Sequence, residues 1–333
     1  MEAHQGGFFI ARDPAGMKFS KPPLTVDQQI ELLLRCGMAI SDLNVARHYL
    51  HHINYYRLRA YWLPNEIPVV DDHTFAPGTH LEAILDIYSM DRRLRLLVMD
   101  AIERIEVSLR TRWAHVLSLR YGAHGYLDPK VFRKRTEHEK CLKKLREEIA
   151  RSHETFVRHY QVTYTNPELP PIWCVSELLT FGQLSLWYRN LASGEDRAEI
   201  AKPYGVDEQI ISSFLHHLTY VRNVCAHHSR LWNREMTVAM KLPARPDWLG
   251  AAFNTTMPKM LYNTLVMLIH MLDLISPKSQ WRSHFLNLLG QHPGTDLAAM
   301  GFPTNWRASS AWGHDPRNRS STAKLAPMNQ GSA

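Results

Sequence analysis

The sequence predicts an all-α protein, and three observations carry that prediction. Apolar residues recur at three- and four-residue spacing over residues 80–121, with no Pro or Gly before Gly122. A second apolar run, LYNTLVMLIHMLDLI at residues 261–275, is long for a strand and is the right length for a buried helix. No region alternates apolar and polar residues in the strand manner, and no repeat period is present. The 333 residues, 45% apolar and 21% charged, have the balance of an ordinary globular chain. That excludes a mostly disordered, collagen-like or low-complexity protein. At roughly 150 residues per domain the length suggests about two domains, enough to bury a core without staples.

The elements follow in order. Residues 1–24 contain Gly and Pro without periodicity and are expected to form a loose arm. Thr25 is an N-cap candidate with Gln28 three residues on and Gly37 as a stop, which predicts a first helix. Residues 40–63 are expected to be helical and are rich in aromatics, completing an N-terminal helical region over residues 25–75. PNEIPVVDDHTFAP, residues 64–77, is a break with room for one short extended piece. Residues 80–121 then form one long helix or two with a kink, opening a helical domain over residues 80–290. Further helices are expected over residues 136–164, 173–191, 195–204, 207–221 and 257–275, with a Pro-rich connector near residues 243–248. Residues 304–333 lack periodicity and are expected to be a disordered tail.

The chain carries 39 Lys and Arg against 32 Asp and Glu, a net charge of +7. This excess favours a polyanionic partner without establishing one. Residues 133–160 hold nine basic side chains against five Glu, and residues 91–120 hold seven Arg against four acids. Both stretches have helical spacing, so they are either solvated faces laced with i,i+4 ion pairs or a basic groove for nucleic acid. Four dispersed cysteines with no CxxC pair argue against a disulfide framework or a zinc knuckle. The N-terminus lacks the apolar stretch of a secretory signal, and residues 261–275 are too short to span a bilayer and contain His270 and Asp273. The expected location is the cytoplasm, with no membrane segment.

One segment stands apart. YVRNVCAHHSRLWNR, residues 220–234, packs Arg222, Asn223, His227, His228, Arg230, Asn233 and Arg234 into fifteen positions. Polar groups this dense are costly unless exposed in a cleft or paired. On a helix Asn223 and His227 share a face, and Arg222 borders it, above all if the helix ends near Ala226. Arg supplies a fork for phosphate oxygens and stabilises charge building on phosphorus. An imidazole can take a proton from an RNA 2′-hydroxyl or give one to the leaving 5′-oxygen. The chemical reading is therefore cleavage of RNA, whose 2′-hydroxyl is an internal nucleophile. Spacing alone is weak evidence, because Arg110 and His115 repeat the pattern inside the long amphipathic helix, where a structural role is the simpler account.

RNVCAHHSRLWNR resembles the signature of Abi-like proteins of the AbiD/AbiF type, bacterial abortive-infection proteins of the HEPN superfamily. Other blocks are similar in order and spacing: NYYRLRAY at residues 54–61, DRRLR at 91–95 with IEVSLR at 105–110, and WCVSELLTFGQLSLW at 173–187. The resemblance implies a HEPN-type helical bundle with an additional helical N-terminal region. It implies a metal-independent endoribonuclease without cofactors, acting as a toxin in phage defence, whose products end in 2′,3′-cyclic phosphate. Arg222, Asn223 and His227 then carry the catalytic roles. Two protomers are expected to pair their motifs in a homodimer, and a small structured noncoding RNA is the expected controlling partner beside the RNA substrate. The alternatives are a non-catalytic RNA-binding HEPN protein and a HEPN protein-interaction module.

Other candidates have bland readings beside the functional ones. His228, Arg230, Arg234, Lys143 and Lys144 are expected RNA contacts. Tyr55, Tyr56, Arg57 and Arg59 could stack and grip bases, or form an amphipathic helix packed on the core. His216 and His217 are better read as core or surface histidines than as metal ligands, since no carboxylate or thiolate accompanies them. Glu103 and Glu106 either form ordinary charge pairs or orient the active-site arginine. Cys225 is expected to be a small apolar filler.

Overall fold

The computed structural model describes residues 22–68 and 73–313. Among these residues the chain forms thirteen α-helices and no strand, as the periodicity predicts. The described residues divide into two compact units, one of those up to residue 94 with 287–295 and the other of residues 95–286 with 296–313.

In the first unit, α1 (Val26–Arg35) opens on the expected capping box between Thr25 and Gln28. The single helix expected over residues 40–63 is two, α2 (Leu43–His52) and α3 (Tyr55–Trp62). Asn54 divides them, because its side-chain oxygen accepts the Tyr56 N–H at 2.8 Å and starts a new helix there. The Pro-rich break contains an antiparallel bridge between Glu66 and Phe75, the short extended piece anticipated for it. Inside the unit the Tyr61 hydroxyl donates to the buried Asp91 carboxylate at 2.6 Å.

The long periodic segment is one unbroken helix, α4 (Leu81–Tyr121), and the unit boundary falls after Leu94. The second unit continues with α5 (Arg135–Arg151), α6 (Thr155–Thr163), α7 (Ile172–Leu178), α8 (Phe181–Asn190), α9 (Gly194–Ala201), α10 (Glu208–Ala226), α11 (Asp247–Ala252) and α12 (Leu261–Ile275), and a second boundary falls after Leu286 within α13 (Trp281–Gln291). Two predicted helices are each divided in the structure. Residues 136–164 break at Ser152, whose backbone is extended, and residues 173–191 break where Thr180 caps α8 with Gln183. The charged stretches are laced by pairs such as Arg135–Glu139, Arg151–Glu148 and Arg104–Asp100, the solvated-face reading.

The core of this unit surrounds α12, which is buried on nearly every side from Leu261 to Leu272. The two titratable residues that interrupt its apolar run, His270 and Asp273, are satisfied. The His270 ring nitrogen meets the Tyr204 carbonyl at 2.8 Å, and Asp273 accepts from Arg282 at 2.7 Å. Trp113, Tyr126, Phe132, His138 and Trp187 form an aromatic cluster in the same unit.

The C-terminal boundary differs from expectation. Residues 304–313 are packed, not a tail, with Trp306 and Trp312 buried against Phe302 and against each other. Two large aromatic side chains outweigh the polar residues between them, which mask any period. Helix α13 was likewise missed, although Trp281, Phe285, Leu288 and Leu289 recur at helical spacing and are buried, and the Trp281 indole donates to the Leu97 carbonyl at 2.6 Å. Most of the expected N-terminal arm and residues 314–333 lie outside the described residues.

Candidate active site at the end of α10

Helix α10 buries Ile211, Phe214, Leu215, Leu218, Val221, Val224 and Cys225, a stripe at three- and four-residue spacing that ties it to the core. Cys225 is therefore the apolar filler expected of it. On the other side α8 approaches closely at Gly182, where an added Cβ would stand 3.3 Å from Thr219 Cγ2. A further anchor is His217, one ring nitrogen of which meets the Thr264 hydroxyl at 2.8 Å while the other meets the Val238 carbonyl. Burial pushes its imidazole below the ordinary range. His217 is a satisfied core histidine, and His216 beside it is exposed.

The helix ends inside the motif. His227 is the C-cap, His228 adopts the left-handed conformation at φ 56°, and two backbone bonds close the turn. The His228 N–H donates to the Cys225 carbonyl at 3.0 Å and the Ser229 N–H to the Val224 carbonyl at 2.9 Å. This is the Schellman pattern, with histidine where glycine is usual. The chain then dives inward on Leu231 and Trp232, whose indole donates to the Asp296 carbonyl at 3.2 Å. The buried anchors on both sides of the turn leave Asn223 and His227 exposed.

Arg222, Asn223 and His227 thus share the last turn and cap of one helix. Arg222 is half-buried, and its charge acts on the carboxylate of Glu106 in α4. Glu106 also accepts a hydrogen bond from Arg110, which donates as well to the Leu179 carbonyl at 2.6 Å. Burial raises the Glu106 carboxyl above its ordinary range, and the two arginines only partly oppose that shift. Arg110 is accordingly structural, and Glu106 forms the charge pair weighed for it, with the charge of Arg222 acting on it besides.

The remaining candidates divide. Arg234 is held inside the site, its Nε on the Arg230 carbonyl and its guanidinium 3.5 Å from the Tyr220 hydroxyl. Thr237 also contacts that hydroxyl. Burial acts to raise the Tyr220 phenol, but the contacts from Thr237 and Arg234 outweigh it and the net direction is downward. Tyr220 was not singled out from the sequence, although it lies seven residues before His227, on the same helix face. His228 and Lys143 and Lys144 of α5 are exposed, and Arg230 is half-buried. Tyr55, Tyr56, Arg57 and Arg59 belong to the other unit. There Tyr55 packs on Trp62, Arg59 pairs with Glu66 at 3.2 Å, and Tyr56 is exposed.

Among the described residues no helix is long and apolar enough to cross a membrane. This is an all-helical protein in which Arg222, Asn223 and His227 sit together at the end of a helix anchored in the core. The family model of Abi-like proteins matches residues 48–233, more than half of the chain, and the chain belongs to that family. Membership points to abortive-infection defence against phage. No curated protein and no solved structure matches the chain.

Proposed function

We propose that this protein is a HEPN-type endoribonuclease, a toxin that cleaves RNA without a metal ion. The observation that supports this most is the exposure of His227 and Asn223 beside Arg222 on a rigidly terminated helix. Among the described residues neither Asn223 nor His227 has a side-chain hydrogen-bond partner, as befits groups kept ready for a ligand. In this reading Arg222 holds the scissile phosphate and stabilises the charge that grows on its oxygens. His227 takes the 2′-hydroxyl proton as the oxygen attacks phosphorus, or donates a proton to the departing 5′-oxygen. Asn223 positions the phosphate or the imidazole. The products are a 2′,3′-cyclic phosphate and a 5′-hydroxyl.

The reaction needs both a base and an acid, and one protomer presents one motif. Two protomers with facing motifs would supply a histidine for each role, so the proposed active form is a homodimer. A bound structured RNA is the proposed controlling partner, and the cytoplasm is the proposed location.

The experiment uses protein stripped of nucleic acid, with wild type and His227→Ala incubated with end-labelled RNA in EDTA and matching DNA as control. The expected result is cleavage of RNA alone, leaving cyclic phosphate ends, and reduced roughly 10²–10⁴-fold in the variant. RNA that is bound but uncut by wild type would overturn the cleavage reading in favour of a binding protein.

A further inference from the structure

A second site lies on the same helix. A cleft of about 580 Å³ in the second unit is lined by Arg133, Arg189, Arg197, Lys241 and His216, with Glu208 as its one carboxylate. Arg133 and Arg197 converge because both guanidinium groups donate to the same backbone oxygen, that of Leu191. Burial and then the adjacent Arg133 charge push the Arg197 guanidinium downward. Lys241 reaches only the neutral amide of Gln209, at 3.4 Å. Like charges gathered this closely repel one another, and an anion between them relieves the repulsion.

The cleft and the motif lie along one face of α10. Gln209, Ser213 and His216 border the cleft, and Tyr220, Asn223 and His227 continue from them at alternating spacings of four and three residues. That spacing keeps all six on a single stripe. Seven residues separate His216 from Asn223, which places them roughly 10 Å apart along the axis.

We propose that this cleft holds backbone phosphates of the RNA strand whose scissile bond lies at Arg222 and His227. This rests on the reading of the protein as one that acts on RNA, and it adds where the strand runs. The cleft fixes register by charge, and the polar stripe of α10 leads the strand to the motif. Phosphate contacts of this kind position a strand and carry little sequence information.

The test separates the two readings. In a His227→Ala background, Arg189→Glu with Lys241→Glu is compared with Lys278→Glu with Arg307→Glu, an equal change of net charge elsewhere on the exposed surface of the unit. Binding of a labelled single-stranded RNA is measured over a range of salt, and thermal unfolding checks that each variant is folded. The cleft variant should bind at least about tenfold more weakly, with the log–log salt slope reduced by about 1.4, two phosphates at ~0.7 each. The surface variant should keep the slope. Equal losses in both variants, or binding of a free mononucleotide in place of RNA, would overturn the cleft. If wild type cuts RNA and the cleft variant binds unchanged, the cleft fails and the nuclease reading survives. If wild type cuts nothing and the slope still falls, the cleft stands and the nuclease reading fails.

Discussion

The carboxylate of Glu106 accepts a hydrogen bond from Arg110, and the charge of Arg222 acts on it as well. One acid on the long helix therefore anchors a structural arginine and faces the motif's own. The structural reason is periodic. Glu106 and Arg110 are one turn apart on α4, and α10 brings Arg222 to them from far along the chain.

Replacing Glu106 by Gln keeps the shape and removes the charge that faces Arg222. RNA cleavage should fall about tenfold to a hundredfold, equivalent to ~1.4–2.7 kcal/mol in the barrier. RNA affinity should be unchanged or tighter, because a negative charge has gone, and Glu106→Asp should recover part of the rate. Single-turnover cleavage beside equilibrium binding measures both. An unchanged rate would show that Glu106 does not position Arg222.

The same substitution carries a pH signature. The Glu106 carboxyl is raised in the folded protein, so its contribution is most favourable below the ordinary carboxylate range, where it is protonated in both states. That contribution is lost as pH rises from the unfolded value through the raised folded one. The Tm of wild type minus that of Glu106→Gln should therefore be largest in acid and shrink on going to neutral pH. A difference that grows toward neutral pH would contradict the assignment.

His228 holds a left-handed conformation that costs an ordinary side chain about 1–2 kcal/mol. His228→Gly should be at least as stable as wild type in denaturant unfolding. His228→Val, β-branched and poorly tolerated there, should lose about 1–2 kcal/mol. Destabilisation by Gly with tolerance of Val would refute the turn geometry.

Gly182 and Thr219 set the approach of α8 to α10. Gly182→Val overfills that contact and should cost about 1–3 kcal/mol. Thr219→Ala clears the methyl it meets, so the double variant should recover part of the loss. A double-mutant cycle with no coupling would place the two side chains out of contact.

Much of the helical order was legible in the sequence, because it rests on local rules. Thr25 with Gln28 marked the start of α1, three- and four-residue spacing marked α4, and a long apolar run marked α12. The polar density of residues 220–234 marked the end of α10. Where the sequence misled, local side-chain chemistry or the shortness of a segment was the cause. Asn54 and Thr180 cap new helices inside stretches whose composition is uniformly helical, and Trp306 and Trp312 bury a segment too short to show a period.

Tertiary structure alone decided which charges meet. The influence of the Arg222 charge on Glu106, the convergence of Arg133 and Arg197 on the Leu191 carbonyl, and the contact of Arg234 with Tyr220 join residues that are distant in sequence or set by the turn after α10. Periodicity tells a helix which face to bury. It is silent on which partner the other face receives, because that depends on how helices distant in the chain pack around one core.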